Sequence, residues 1–236
     1  MPVLTGNKVS VEKNFNLTKQ VYIMPEPISY IEEIKRKLIH LSSLWMVAAT
    51  IVLPAISSYG RWIACALIGV CLLITLISEH DYANGGKYLG RLYGKLFSKM
   101  LRSDVKPGQW SVSGGAPVLA AALLVNLIFP CPIAAAALAV MLTGDAAAAL
   151  IGRKFGKHKL VNNKSLEGTV SFVIAGYIFL ALTALCNQMP LNFYIAGIFA
   201  VIAGAAVELF TEQIKLDDNF TIPLTTGAVL SITLLF

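Results

Sequence analysis

Residues 144–168 read GDAAAALIGRKFGKHKLVNNKSLEG, and they join two long apolar runs through a short basic loop. The first run carries a single acid, Asp145, in an otherwise Ala-rich segment. Apolar runs of about 20 residues are typical of membrane-spanning helices, and Lys and Arg concentrate in loops that stay in the cytoplasm. The stretch therefore predicts two membrane helices that are joined at the cytoplasmic edge of a bilayer.

The composition of the whole chain also predicts a membrane protein. Of its 236 residues, 56 % are hydrophobic and only 14 % are charged, and the mean hydropathy is +0.70. A soluble domain of this length needs more charge on its surface. We predict an all-α polytopic membrane protein, with a flexible cytoplasmic tail over 1–27 and a single integral membrane domain over 28–236. About seven transmembrane helices are expected, at 41–59, 61–79, 111–129, 132–151, 168–186, 191–210 and 223–236.

The basic residues predict the orientation of the chain. Four segments on one side of the membrane hold 18 of the 19 Lys and Arg: 1–40, 80–110, 152–167 and 211–222. Arg61 alone falls on the other side, so the positive-inside rule places the amino terminus in the cytoplasm. The same rule accounts for the net charge of +6, and no nucleic-acid partner is expected. Before the first span, an amphipathic helix over 28–40 is predicted to lie on the membrane surface.

Asp145 and the basic loop are the first candidates for a functional site. A carboxylate inside a membrane helix is costly unless it is paired, hydrated or bound to a metal, although a structural hydrogen bond to a neighbouring helix would also explain it. In the loop, Lys and Arg could neutralise phosphate oxygens, and glycines let the backbone approach a ligand closely. The loop could equally be a topology determinant alone. Its candidate residues are Gly152, Arg153, Lys154, Gly156, Lys157, Lys159, Lys164, Ser165, Glu167 and Gly168.

Two further groups lie at predicted cytoplasmic edges of the membrane. Asp217, Asp218 and Asn219 offer hard oxygen ligands of the kind that suits Mg²⁺ bridging phosphates, although a hydrated turn has the same composition. His40 follows the basic cluster Lys35–Lys37. It could accept a proton, hold a phosphate, or serve only as a polar anchor at the interface.

At these residues the sequence resembles a known family. GDAAAALIGRKFGKHKL followed by NKSLEG resembles the core signature of the CTP-dependent membrane lipid kinases, which include dolichol kinase, phytol kinase and the CTP-using diacylglycerol kinase. RKLIH at 36–40 resembles the family's R-K-x-x-H element, and DNFTIP at 218–223 resembles its D-N-x-x-x-P element. The similarity extends from about residue 35 to residue 228, and the middle motif is its most specific part.

The resemblance implies an enzyme that transfers the γ-phosphoryl group of CTP to a membrane lipid alcohol of the diacylglycerol, polyprenol (dolichol) or phytol type. It implies catalytic roles for Asp145, His40 and Asp218. Lys37 and the ten candidate residues of the loop would bind the nucleotide and its phosphates. Mg²⁺ would be bound by acids and an amide at the cytoplasmic face, namely Asp145, Asp217, Asp218 and Asn219.

Two other functions stay open at this point. The middle motif is also similar to that of the phosphatidate cytidylyltransferases, which are nucleotidyltransferases that make a CDP-lipid. Those enzymes usually end on H-G-G-x-x-D-R-x-D, where this chain has LDDNFTIP. The third hypothesis is a non-enzymatic transporter, which is disfavoured because the acids cluster at one face of the membrane instead of its middle.

The expected partners are the lipid bilayer, a membrane lipid substrate and CTP, and the oligomeric state is open. We expect a multi-pass protein of a bacterial inner membrane, with an endoplasmic-reticulum or plastid membrane as the alternative.

Overall fold

The computed structural model describes residues 29–86, 89–97, 115–214 and 216–235, so the predicted tail over 1–27 lies outside the described residues. Within these ranges the chain is helical, and its extended pairing is a single bridge between Lys159 and Ser165. A short 3-10 turn, Val161–Asn163, lies between α6 and α7. The helices are α1 (Tyr30–Ser42), α2 (Leu44–Ile56), α3 (Gly60–Ala83), α4 (Leu89–Phe97), α5 (Gly115–Ile128), α6 (Cys131–Phe155), α7 (Leu166–Cys186), α8 (Leu191–Leu209), α9 (Thr211–Ile214) and α10 (Asp218–Thr233).

Among the described residues, five segments are long and apolar enough to cross a membrane, which confirms the prediction of an all-α polytopic membrane protein. They are Tyr30–Ile56, in which α1 and α2 follow each other closely, and the helices α3, α6, α7 and α8. Helix α5 is apolar but shorter, with 14 residues, and α10 has 16. These segments lie in the order of the predicted spans. Helix α6 runs about one turn beyond the predicted end at residue 151, because Arg153 and Lys154 in its last turn complement the helix dipole.

Helix α6 lies at the centre of the bundle. It contacts α1, α2, α5, α7, α8 and α10, and residues 134–142 are fully buried. Small residues let neighbouring helices approach closely in a membrane, and this part of α6 is rich in Ala. A charged residue on α6 can therefore be reached by side chains from several other helices.

Helices α6 and α7 form an antiparallel pair that is packed through glycines. A Cβ atom on Gly168 would lie 3.0 Å from the carbonyl oxygen of Ala148 and 3.2 Å from the Cα of Gly152. Further along the pair, a Cβ atom on Gly176 would lie 3.3 Å from a methyl group of Val140. The backbones are so close that a larger side chain at Gly168 would push the helices apart.

Arg61 is the one cation that the sequence places outside the cytoplasm, and it has a structural role. Its Nε donates to the carbonyl oxygen of Asn126 at 3.0 Å, and its Nη2 donates to that of Leu127 at 2.9 Å. These carbonyls belong to the last turn of α5, where a cation satisfies orphan acceptors and the negative end of the helix dipole. Arg61 thus caps α5 at the end of the bundle opposite the basic loop.

Candidate functional site

Helix α1 presents a charged face to the rest of the protein. A capping box fixes its start, since Ser29 and Glu32 exchange hydrogen bonds between side chain and backbone. The helical period then places four charged or polar groups on one side of the helix. These are Glu33, Arg36, Lys37 and His40.

This face differs from the predicted surface helix. Glu33 and Lys37 are buried, with 4 % and 6 % of their surfaces exposed, whereas Ile31 and Leu38 are 65 % and 60 % exposed. The charged face is turned toward α6 instead of water, because α6 carries partners for it. The apolar side of α1 is therefore the side left for lipid.

Asp145 of α6 is the main partner of this face. Its Oδ2 accepts a hydrogen bond from the Nζ of Lys37 at 2.6 Å, and the Nε2 of His40 lies 3.3 Å from the same oxygen. All three side chains are largely buried, where an ionised carboxylate needs a cation to offset its desolvation. Among the described residues, His40 Nε2 makes no hydrogen bond of good geometry. That nitrogen thus lies buried beside Asp145 with its hydrogen-bonding capacity unused within the described part of the chain.

A second contact joins α1 and α6, nearer the end of α6 that is predicted to face the cytoplasm. The carboxylate of Glu33 binds Arg36 at 2.7 Å on one oxygen, and its other oxygen lies 3.5 Å from the Nη1 of Arg153. Helices α1 and α6 are therefore connected at two levels, by Lys37 with Asp145 and by Glu33 with Arg153.

Asp217 and Asp218 lie at the start of α10, before the predicted span over 223–236. Asp217 caps the helix, and its Oδ1 accepts from the backbone N and the Nδ2 of Asn219 at 2.9 and 2.6 Å. Burial, together with the charges of Asp145 and Asp217, raises the pKa of Asp218 to about 6, against the attraction of Lys37 and Lys164. Asp218 and Asp145 therefore belong to one cluster of acidic and basic side chains, although they are 73 positions apart in the sequence.

The loop between α6 and α7 is bound to the end of α8. Asn162 and Asn163 take the left-handed conformation, with φ of 58° and 57°, and the Nδ2 of Asn162 donates to the carbonyl oxygen of Leu209 at 2.8 Å. Lys164 binds both the carboxylate and the carbonyl oxygen of Glu208, which is 6 % exposed. The predicted phosphate ligand Lys164 is thus held by the protein itself in this structure.

Two other predicted binding residues also have partners within the protein. The Oγ of Ser165 caps α7 and accepts from the backbone N of Gly168 at 3.1 Å. Glu167 accepts from the backbone N of His158 at 3.3 Å, and its Oε1 lies 2.8 Å from the Nδ1 of the same residue. These contacts fix the return of the loop into α7.

The remaining loop residues divide into packed and exposed groups. Gly152, Gly156 and Gly168 lie where α6 and α7 meet around Ser165, so their close approach is to the neighbouring helix. In contrast, three lysines of the loop are exposed; they are Lys154, Lys157 and Lys159. Together with Arg153 they form a basic rim beside the Asp145 cluster.

The acids of the cluster are compatible with Mg²⁺ bound through a nucleotide. Among residues 29–86, 89–97, 115–214 and 216–235, no group of three or more His, Cys, Asp or Glu is arranged to hold a metal ion. Mg²⁺, however, commonly takes only one or two carboxylates and obtains its other ligands from phosphates and water. The mutual repulsion of Asp145 and Asp218 is what a shared cation would relieve. Asp217 and Asn219, in contrast, are engaged with each other in the cap of α10.

Sequence reasoning did not assign Glu33, His158 or Asn162 to the site. Glu33 had a signal, since it lies four residues before Lys37 and so on the same face of a predicted helix. The contacts of Asn162 with Leu209 had none, because they join residues that are 47 positions apart.

The fold and this cluster together define a multi-pass, all-α membrane protein with acids and bases from α1, α6, α8 and α10 gathered at one end of the bundle. The chain is 28 % identical over 197 residues to an uncharacterised protein of Rickettsia prowazekii, covering 82 % of this chain and 90 % of that protein. It is 35 % identical over 106 residues to farnesol kinase of Arabidopsis thaliana and 32 % identical over 82 residues to dolichol kinase of Schizosaccharomyces pombe. These matches cover 41 % and 34 % of this chain.

The chain is also 33 % identical over 115 residues to a probable phytol kinase of Glycine max, and this match covers 44 % of this chain. The chain spans only 16 % of the length of the dolichol kinase, and 34 % and 35 % of the farnesol and phytol kinases. No family model and no solved structure matches the chain. The similarity to the kinases is thus partial, and the kinases matched are named for dolichol, farnesol and phytol.

Proposed function

We propose that the protein phosphorylates a membrane lipid alcohol, with CTP as the phosphoryl donor and Mg²⁺ as the metal ion. The partial similarity to dolichol, farnesol and phytol kinases supports a lipid alcohol as acceptor. The observation that carries the proposal is the meeting of Lys37 and His40 of α1 with Asp145 of α6, beside Asp218 of α10. Phosphoryl transfer needs mainly positioning and charge neutralisation, and this cluster offers both signs of charge at one end of the bundle.

The basic rim is assigned to the nucleotide. Arg153 and the exposed lysines Lys154, Lys157 and Lys159 would neutralise the triphosphate, and Lys37 would contact it from α1. Lys164 is held by Glu208 and would act nearer the acids. The contacts of Ser165 with Gly168 and of Glu167 with His158 would hold the loop in the conformation that binds the nucleotide.

Asp145 and Asp218 are assigned to Mg²⁺, with Asp217 and Asn219 as neighbours that shape the start of α10. When bound, the metal would offset charge on the phosphate oxygens. The protein's own contribution is to hold two carboxylates of different helices close together.

His40 is proposed to accept the proton of the lipid hydroxyl. The alcohol oxygen would form a bond with the γ-phosphorus, the bond from that phosphorus to the bridging oxygen would break, and CDP would leave. The hydroxyl proton would pass to His40 Nε2, which lies 3.3 Å from Asp145 and makes no good hydrogen bond among the described residues. The carboxylate of Asp145 would offset part of the cost of forming a buried imidazolium.

The acceptor is proposed to enter sideways from the cytoplasmic leaflet. Helix α1 leaves Ile31, Leu38 and Ile39 exposed while its other face contacts the Asp145 cluster. A lipid chain along that apolar side would bring its hydroxyl to the polar face. We propose a bacterial inner membrane, with a plastid membrane as the alternative because the farnesol and phytol kinases are chloroplastic.

One assay tests the reaction type and then the acceptor. Purified protein in lipid bilayers is incubated with CTP, Mg²⁺ and, in turn, farnesol, phytol, a polyprenol and diacylglycerol. A kinase releases CDP and forms a lipid monophosphate, and we expect this with an isoprenoid alcohol. Release of pyrophosphate with phosphatidate would instead identify a cytidylyltransferase, and no nucleotide turnover with any acceptor would contradict both enzymes.

A further inference from the structure

Glu33 is a buried acid of α1 to which the reaction proposed above gives no role. It is 4 % exposed, whereas its neighbour Glu32 is exposed and serves the capping box with Ser29. Burial of a carboxylate is unfavourable unless cations and hydrogen bonds offset it. The capping box of α1 is formed by Ser29 and Glu32 and does not involve Glu33, so the burial of Glu33 needs another explanation.

Its contacts provide one. The Oε1 of Glu33 accepts from Arg36 Nη2 at 2.7 Å, and its Oε2 lies 3.5 Å from Arg153 Nη1. Each carboxylate oxygen thus serves a different arginine, one on α1 and one in the last turn of α6. The carboxylate bridges the two helices beside the basic rim.

The contact with Arg153 uses a small part of that side chain. A guanidinium carries five N–H donors in a planar fork, and Glu33 meets only Nη1. The side chain of Arg153 is 33 % exposed, so the contact with Glu33 leaves part of it accessible at the loop. An arginine that is already held in place loses less conformational freedom when it binds an anion.

We propose that Glu33 is a positioning residue for nucleotide binding, which holds one edge of Arg153 so that the other edge is presented to the phosphates of CTP. This inference rests on the proposed function, because it takes the basic rim to bind the nucleotide. Glu33 itself touches neither the nucleotide nor the lipid. Its effect should therefore appear in the affinity for CTP and be small in the chemical step.

The first test compares Glu33→Gln and Glu33→Asp with the matched control Glu32→Gln, all in the full-length protein. We expect Glu33→Gln to raise the KM for CTP about tenfold, as for loss of one charge-assisted contact, with kcat changed by less than about twofold. Glu33→Asp keeps the charge and should recover part of the affinity. Glu32→Gln removes an exposed charge that attracts Arg153 only through solvent, so it should change the KM for CTP by less than about twofold. The KM for the lipid should stay the same in all three.

A double-mutant cycle with Arg153→Gln then asks whether Glu33 acts through Arg153. If it does, Glu33→Gln adds no further increase in the KM for CTP once Arg153 is replaced. The rise in Tm on addition of CTP and Mg²⁺ gives a second reading of affinity that needs no turnover. Should Glu33→Gln fail to fold, the cycle is run with Glu33→Asp.

The outcomes separate the inference from the function on which it rests. A wild-type KM and CTP-dependent Tm rise in Glu33→Gln, or full additivity with Arg153→Gln, would overturn the role of Glu33 alone. A wild-type protein without CTP turnover and without a CTP-dependent rise in Tm would overturn the proposed function, and this inference with it.

Discussion

The ion pair of Lys37 and Asp145 links the motif at 36–40 with the motif at 144–168. The Nζ of Lys37 lies 2.6 Å from Asp145 Oδ2, and the two side chains are 8 % and 14 % exposed. In this environment each charge depends on the other, because neither can be hydrated fully. The same carboxylate is proposed to hold Mg²⁺, so the lysine ammonium keeps it neutralised when the nucleotide is absent.

We predict that Asp145→Asn lowers turnover about 10²–10³-fold, as loss of one electrostatic partner in a phosphoryl-transfer site commonly does. It should also lower stability by about 1–3 kcal/mol, because Lys37 would keep a buried charge without its counter-charge. Turnover is measured as CDP release, and stability by thermal unfolding in detergent. Normal turnover in Asp145→Asn would exclude the assigned role of this residue.

The double variant Lys37→Met with Asp145→Leu separates the two effects. Replacement of both charges by apolar side chains should restore most of the stability, since no buried charge remains. Turnover should stay at or below that of Asp145→Asn. Glu212→Gln serves as the control, because Glu212 is an exposed acid of α9 with no assigned role, and it should behave like the wild type.

At the scale of the helices, α1 illustrates what a sequence pattern can and cannot predict. Its helical period, its capping box and its amphipathic character follow from local sequence. The pattern does not say whether a charged face meets water or another helix, because both satisfy the charges. Burial of Glu33 and Lys37 depends on Asp145 and Arg153, which lie more than 100 positions later.

The candidate site, like α1, could be predicted from the sequence only in part. Asp145 and Asp218 stand out as acids at membrane edges, and motif resemblance joined them to His40. The partners of Lys164 and Asn162, in contrast, come from the end of α8 and could not be found from spacing. The candidate glycines were interpreted as room for a ligand, and in the structure that room is occupied by the α6–α7 contact. The local sequence does not distinguish a glycine that makes space for a ligand from one that lets two helices pack closely.

We predict that Gly168→Val destabilises the protein by about 1–3 kcal/mol, because the added side chain overpacks the crossing of α6 and α7. A Cβ atom at this position already meets Ala148 O, Ser165 Oγ and Gly152 Cα at 3.0 to 3.2 Å. Thermal unfolding measures the loss. Turnover should fall as well, since the crossing holds the loop between Asp145 and Lys164.

Gly69→Val is the matched control for this substitution. Gly69 lies in the middle of α3, and its Cβ would meet only a methyl group of Leu123 at 3.9 Å. The same change there should leave the Tm and the turnover close to those of the wild type. An equal loss at both positions would mean that valine in a membrane helix, and not the α6–α7 crossing, is responsible.

For the molecule as a whole, the two ends of the bundle differ in chemistry. One end gathers the Asp145 cluster and the basic rim. The other carries Arg61, which caps α5, together with Cys131 at the start of α6 and Cys186 at the end of α7. The positive-inside rule predicts that the first end faces the cytoplasm.

Cys186 offers a direct measurement of this orientation, because it is exposed and lies at the predicted outer end. In intact cells of a bacterial host, a membrane-impermeant maleimide should label the wild type, and Cys186→Ser should lose that part of the label. Adding Lys157→Cys to Cys186→Ser places a thiol in the basic rim, and it should be labelled only after the cells are permeabilised. Labelling of this double variant in intact cells above the level of Cys186→Ser alone would put the candidate site on the outer face, out of reach of cytoplasmic CTP.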